Sequence, residues 1–382
     1  MDTLNKHIVI STHYLVYGAS QALLDYLNNK KIYIITYVQH PLFINGNSST
    51  VTSYVKGVKT SSKKWFYFSN LSILKFALEI MSNIITGLFM KKSNVFFGFD
   101  SLNAFSGIIL RFLKKTNFVV YYTIDYVPER FSNSLLNNIY HLFDKFCITY
   151  ADEVWNVSPR ISEGREQKRG LKLTKYPNQR TVPIGIWFDK IKRLPFEKIS
   201  PHKLFFIGNI QEGSGLQYVI KAIPDILKEI PDFFFLIVGG GDYLPNIQKL
   251  VKELRLAKYI KFTGWIIDRN RLDTIMADSA LAVALYDKQS NNYTYYADPT
   301  KPKDYLSAGL PIIMNDLPHY AYDLEKNKCA IIIESDPVQI SNAIIKLLSN
   351  SILLQKYRKN ALNYIKKYDW NIIFDKEVSR IL

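Results

Sequence analysis

Short apolar runs alternate with segments of helical period along most of this 382-residue chain. Short unbroken apolar runs fit strands buried on both faces, and apolar residues three and four apart fit amphipathic helices. In the first half, strands are predicted at 7–10, 32–37, 95–97, 118–122 and 153–157, with helices over 19–27, 71–90, 102–112 and 134–150. Residues 45–68, rich in Ser, Thr, Val and Tyr, read as a hairpin or irregular insertion. The second half predicts strands at 204–207, 234–238, 260–263, 281–285, 311–314 and 330–333, and helices over 216–228, 244–255, 271–277, 301–308 and 337–348. A polar loop is expected from 286 to 300. Alternation of this kind predicts an α/β protein with two doubly wound, Rossmann-like domains. The expected boundaries are an N-terminal domain over 1–186, a linker over 187–202, a C-terminal domain over 203–365, and a helix over 366–382 packing back toward the first domain.

Composition narrows the classes. With 48% hydrophobic and 21% charged residues, global disorder is excluded. The net charge of +16 is uneven: residues 1–180 hold 22 Lys plus Arg against 11 Asp plus Glu, so +11 of the excess sits in the first half. An acidic partner follows, whether nucleotide phosphate, anionic lipid or nucleic acid, and without an RNA-binding motif nucleic acid is not expected. Two cysteines, Cys147 and Cys329, are too few for a disulfide or zinc framework and suit a reducing cytoplasm. The N-terminus does not read as a secretory signal. The most apolar window, 71–90, carries Lys75, Glu79, Ser82 and Asn83, which a spanning helix rarely tolerates. Basic and aromatic residues adjoin at 63–68, 91–92 and 111–115, the mixture that rests on an anionic membrane surface. The expectation is a cytoplasmic protein peripheral to the inner face of a membrane.

Chemistry is expected in the loops after strands, because open α/β sheets bind ligands beyond the carboxyl ends of their strands. Gly208, Gly213 and Gly215 lie between a strand and a helix, where backbone amides can approach a phosphate. Gly239, Gly240 and Gly241 follow the next strand but form neither a dinucleotide fingerprint nor a P-loop. No Gly-Lys-Ser/Thr sequence occurs, which speaks against an ATPase.

The segments GNIQEGSGLQYVIKAIPDILKEIPDFFFLIVGGGDYL, KYIKFTGWI, ADSALAVALYD, PTKPKDYLSAGLPIIMND and ALNYIKKYDWNIIF, in that order, resemble the donor-binding half of glycosyltransferase family 4 type enzymes of GT-B fold. The most diagnostic stretch is Thr300 to Pro311, similar to the Asn-Lys-x-x-Glu-Tyr-x-x-x-Gly-x-Pro signature. The resemblance covers residues 203–375 well and the first half in outline. It implies a nucleotide-sugar donor, UDP- or GDP-linked, held in an interdomain cleft mainly by the second domain, and a glycan or lipid-linked acceptor on the first. It also implies retention of anomeric configuration, with neither metal nor cofactor. Donor-binding residues on this reading are Gly18, Gly208, Asn209, Gly240, Trp265, Pro299, Thr300 and Asp304, with Lys301 as the catalytic cation at the diphosphate. The sequence departs from the family where Asn209 and Ser214 replace the usual Arg and Lys of the first glycine loop, and where Tyr296 replaces the first glutamate of a Glu, seven residues, Glu pair. Lys301, Lys303 or Arg269 can replace the lost charge, since a departing phosphate needs a nearby cation from no fixed position. Those departures also leave open a catalytically silent subunit that binds a partner transferase.

For the acceptor, Asp125 follows a strand and can bind or deprotonate a hydroxyl, with Arg130 five residues on; a turn cap is the alternative. Asp100 also ends a strand, and the Ser-Leu-Asn that follows suits a helix N-cap. His13 is a further acceptor-side candidate. The six histidines lack paired spacing for a metal.

Overall fold

Both predicted sheets form. The computed structural model describes residues 6–14, 17–41, 48–66, 72–287 and 293–382. The chain divides into two units: the first contains Met1–Ile184, Tyr296–Asp298 and Trp370–Leu382, and the second Gly185–Tyr295 and Pro299–Asp369.

In the first unit the strands are β1 (His7–Tyr14), β2 (Ile34–Pro41), β3 (Ser48–Val55), β4 (Val58–Phe66), β5 (Ser93–Phe99), β6 (Thr116–Thr123), β7 (Glu153–Asn156) and β8 (Gln179–Thr181). Their order across the sheet is β4-β3-β2-β1-β5-β6-β7-β8. All neighbours are parallel except β2 with β3 and β3 with β4, so the expected insertion is an antiparallel hairpin at the sheet edge. Residues 45–47 and 67–68 of that insertion lie outside the described residues. The helices are α1 (Ala19–Lys30), α2 (Ser72–Phe89), α3 (Ser101–Phe112), α4 (Ser134–Tyr150) and α5 (Pro159–Arg169). The order reverses between β1 and β5, which places a topological switch point at their carboxyl ends.

The second unit is wholly parallel. Its strands β9 (Lys203–Ile207), β10 (Phe234–Val238), β11 (Ile260–Phe262), β12 (Leu281–Ala284), β13 (Ile312–Met314) and β14 (Ala330–Ile332) take the order β11-β10-β9-β12-β13-β14. Its switch point lies between β9 and β12. Near-continuous apolar runs such as FFLIV in β10 are buried on both faces, as parallel strands between helix layers require. The helices are α6 (Leu216–Glu229), α7 (Leu244–Glu253), α8 (Arg269–Ala277), α9 (Tyr293–Tyr296, whose last residue belongs to the first unit), α10 (Thr300–Ser307), α11 (Ala321–Lys326), α12 (Pro337–Leu348) and α13 (Ser351–Ile365). A last helix, α14 (Trp370–Val378), belongs to the first unit, where Asp375 accepts from the Tyr26 hydroxyl at 2.6 Å.

The stretch 187–202, expected as a linker, is fastened to the second unit instead. Arg193 stacks on Phe188 at 3.7 Å and donates to the Ser307 carbonyl at 2.8 Å. Its scattered charges and prolines are those of a strap held by side chains rather than by a regular period. Helix α5 gives no sequence signal because its buried face is Ile161, Gly164 and Arg165, too little apolar surface to mark a period.

Candidate functional site

The first unit gathers polar side chains at the end of β1. Helix α2 turns a stripe of Lys75, Glu79, Ser82, Asn83 and Thr86 inward, all buried. Asn83 and Asn103 both accept from the Ser11 hydroxyl, at 2.8 and 2.6 Å, and Lys75 donates to the Pro41 carbonyl at 2.8 Å. His13 stands between two carboxylates, with Nδ1 2.5 Å from Asp100 and Nε2 3.0 Å from Glu79. Burial disfavours the charged ring, but Asp100 and Glu79 together outweigh it and raise its pKa to about 10. His40 behaves oppositely: burial first, then the His13 charge, lowers it to about 3. The paired imidazolium explains the asymmetry. Both His13 nitrogens are engaged, so it serves these carboxylates before any acceptor.

Asp100 caps α3, accepting at Oδ1 from the Leu102 and Asn103 amides at 2.9 and 3.1 Å. Its φ of 75° is a left-handed conformation that a non-glycine residue adopts at a cost. The cap and the His13 contact use both oxygens, so the capping alternative describes Asp100 as the structure has it. Gly18 begins α1, but its amide donates to the Gln21 side chain at 2.8 Å rather than standing open toward a phosphate.

Asp125 and Arg130 share the loop after β6, where both are exposed. The Arg130 guanidinium lies 5.2 Å from the Tyr140 ring centre, and the Tyr140 hydroxyl donates to the Asp125 carbonyl at 3.3 Å. Asn137, His141 and Arg169 strap the loop down: Asn137 accepts from the Arg130 amide at 2.9 Å, and the Pro128 carbonyl meets all three side chains within 3.1 Å. Beneath it, Arg165 and Asp144 form a fully buried bidentate pair at 2.9 and 2.6 Å. Arg165 also donates to Thr123, Asn156 and Gln179, and Asp144 accepts from Tyr121. This network ties α4 and α5 to β6, β7 and β8 under the Asp125 loop. Sequence reasoning missed it, along with Glu79 and Asn103.

In the second unit, glycines let three strand ends interlock. The Gly208 amide donates to the Val238 carbonyl at 3.0 Å, Ile210 to Gly240 at 2.9 Å, and Gly239 to Gly264 at 2.9 Å. A side chain at Gly239 would place its Cβ 1.9 Å from the Gly208 oxygen, so the approach is possible only without one. Asn209 lies across Gly241, and the exposed Trp265 lays its indole nitrogen over Gly240. Ser214, where a cation is expected, instead donates to the Gln211 carbonyl at 2.6 Å within its own turn.

Helix α10 faces these loops. Pro299 precedes it without a side-chain cap, leaving the first amides, beginning at the exposed Thr300, open to an anion. The Lys301 ammonium rests against Gly208, 4.5 Å from the Phe206 ring centre and 5.6 Å from that of Tyr286. No carboxylate pairs with it among the described residues, and burial draws its pKa down to about 8. One turn on, Asp304 Oδ1 accepts from Arg269 at 2.9 Å, and Arg269 also meets Asp273 at 2.8 Å. Arg269 is thus engaged by two carboxylates. Lys303 points elsewhere, buried with its ammonium 4.4 Å from the Tyr368 ring centre and 5.6 Å from that of Tyr320. Of the three cations offered in place of the missing pair, Lys301 alone adjoins the glycine loops without a carboxylate partner. Tyr296 packs on Gly164 and lies 5.4 Å from Tyr126, ring centre to ring centre, within the first unit.

Two doubly wound sheets, each with polar groups at its switch point, define the GT-B class, and solved structures agree. HepE of Anabaena in complex with UDP superposes with a TM-score of 0.72 over 98% of this chain and 99% of that one, at 14% identity. Residues 201–350 match the family model "Glycosyl transferases group 1". The chain is a glycosyltransferase of GT-B fold whose second unit carries that group 1 domain. An uncharacterized glycosyltransferase of Methanocaldococcus jannaschii is 24% identical over 400 residues, covering 97% of this chain and 90% of that one. The phosphatidyl-myo-inositol mannosyltransferase of Mycobacterium leprae is 21% identical over 197 residues, half of each chain.

Proposed function

We propose that this glycosyltransferase takes its sugar from a UDP- or GDP-linked donor seated on the glycine loops of the second unit, and passes it to a hydroxyl of a glycan or lipid-linked acceptor. The observation that carries this reading is Lys301. It is a cation without a carboxylate partner among the described residues, set against Gly208 at the start of an uncapped helix. Such a group gains most from a diphosphate, and it stabilises the charge that grows on the leaving phosphate as the glycosidic bond breaks. Asp304, with Oδ2 outside the Arg269 contact, is placed to accept from ribose hydroxyls. Asp125 is the acceptor-side carboxylate of the exposed loop. UDP in the HepE complex and phosphatidyl-myo-inositol in the name of the mycobacterial relative support a nucleotide donor and a lipid-linked acceptor. Retention of configuration without a metal accords with a site that meets the diphosphate by a lysine and helix amides. Both cysteines are buried and free, in keeping with a reducing compartment.

The test is to incubate the protein with UDP- and GDP-sugars, with and without phosphatidylinositol or glycan acceptors, in excess chelator. Donor turnover with an α-linked product from an α-linked donor is expected. An inverted product, or turnover that needs a divalent cation, would overturn the mechanistic part. Binding without any turnover or hydrolysis would favour the silent-subunit reading, for which the spent charge of Arg269 is the supporting observation.

A further inference from the structure

Helix α2 is turned inside out. Its inward face is the polar stripe from Lys75 to Thr86, whereas Leu74, Met81, Leu88 and Phe89 are exposed, Met81 by 53% and Phe89 by 89%. Soluble helices bury the apolar face and expose the polar one, so an exposed apolar stripe implies a further apolar surface against it. Where Gly87 packs on Leu110, the end of α2 meets that of α3, which adds exposed Phe112 and Leu113 to the same end.

The cations sit at the two ends of this stripe. Trp65 pairs with Ser49 in the sheet register and Gln39 with Thr50, which puts exposed Lys63, Lys64 and Trp65 level with the carboxyl end of β1. Lys91, Lys92 and Lys114 are also exposed, but they lie at the opposite end of the sheet, just before β5 and β6 begin. The three basic stretches read from the sequence therefore fall into two clusters at opposite ends of the sheet and do not form one patch. Arg111, also counted with them, is held by Asp152 and the Tyr150 carbonyl. What joins the clusters is α2, whose 18 residues span about 27 Å from one end of the sheet to the other. Lys63, Lys64, Lys91, Lys92 and Lys114 have no carboxylate partner among the described residues. No helix among the described residues is long and apolar enough to cross a membrane.

We propose that α2 lies lengthwise in the interface of an anionic lipid bilayer, with its apolar face in the acyl boundary and the two lysine clusters on the headgroups at either end. The charge pattern favours lipid over a second protein surface. A long apolar strip with cations at both ends and no acidic residue exposed along it matches a headgroup plane, in which anions lie on every side. A chain docked in this way holds the carboxyl end of β1 close to the lipid surface.

The experiment uses the full chain and vesicles of phosphatidylglycerol and phosphatidylcholine in equal parts, with phosphatidylcholine alone as control. The wild type should sediment with the anionic vesicles, and far less with the neutral ones. M81S/L88S/F89S should lower partitioning roughly a thousandfold, since each buried apolar side chain is worth about tenfold. K91E/K92E/K114E should also lower it roughly a hundredfold, at about fivefold per lysine removed, and added salt should mimic that loss. Both variants alter exposed positions, so their thermal midpoints and nucleotide affinities should equal wild type, which separates this proposal from the donor-site reading. In M81W, brominated lipid should quench the new fluorescence. Undiminished vesicle binding by the serine variant, or unquenched M81W on bound protein, overturns the proposal. So does a wild type that ignores vesicles and sediments as a dimer which the serine variant splits, since α2 would then be a subunit interface.

Discussion

The lysine at the glycine loops makes a quantitative claim about pH. Free Lys301 titrates near 8 because burial against Gly208, Phe206 and Tyr286 removes water without supplying an anion. A bound diphosphate supplies that anion and raises the pKa again, so the charged form binds and the neutral form does not. With a pKa of about 8, roughly nine-tenths of the protein carries the proton at pH 7 and roughly one-tenth at pH 9. Nucleoside diphosphate affinity should therefore fall about tenfold from pH 7 to pH 9, a loss of about 1.4 kcal/mol. The ligand does not confound this range, because a terminal phosphate with pKa near 6 is already ionised. Binding at pH 8 should take up about half a proton, measured as a dependence of calorimetric heat on the ionisation enthalpy of the buffer. K301R keeps a cation that does not titrate, so it should bind with flat pH dependence. K301A should bind the diphosphate weakly and equally at both pH values, with nucleoside affinity unchanged. A wild type without proton uptake at pH 8, or a K301A variant that retains the pH slope, would refute the phosphate role.

Replacing Asp304 by Ala should weaken nucleoside and nucleotide alike by ~1–3 kcal/mol in calorimetry, the loss of hydrogen bonds to a charged acceptor, and equal affinities would remove it from the ribose. Arg165→Met should cost ~3–5 kcal/mol in urea unfolding, because it leaves Asp144 charged and buried, while the double variant with Asp144→Leu should recover much of that. The His13 ring should stay protonated at pH 8 in NMR spectra, and Glu79→Gln should lower its pKa. Because its folded pKa is raised from 6.5 to about 10, its contribution to stability is complete below pH 6.5 and should fade as pH climbs through 10.

The sequence was most legible where one kind of burial governs a whole segment. Strands such as FFLIV and LAVA are sandwiched between helices, so an unbroken apolar run announces them. Lys301 and Asp304 were singled out by the resemblance of Thr300–Pro311 to a family signature, and both lie on the short helix α10. Pairing between distant segments was hidden: Arg269 and Asp304 are 35 residues apart, and Arg165 and Asp144 are 21 apart. Neither pair disturbs a local period. Helix α2 was read correctly as no spanning helix, but the reading stopped short of its orientation. Lys75, Glu79, Ser82 and Asn83 read as obstacles to crossing a bilayer, yet with Thr86 they form one helical stripe, and that spacing was the available sign of a polar interior.

The first unit is closed by residues from late in the chain. Tyr26 and Lys30 meet Asp375, Glu153 meets Arg380, and the Ile184 amide donates to Asp298. During synthesis, Gly185 to Asp369 leaves the ribosome with nearly all of its own partners already made, and it can fold as it emerges. The first unit, although translated earlier, has all eight strands by Thr181 but lacks α14 until Trp370–Val378 arrives, so for most of translation its helix layer is incomplete. A chain that stops before Trp370 holds every residue of the second unit but lacks Phe374, whose ring lies 5.3 Å from that of Tyr26, and so leaves that face of α1 uncovered.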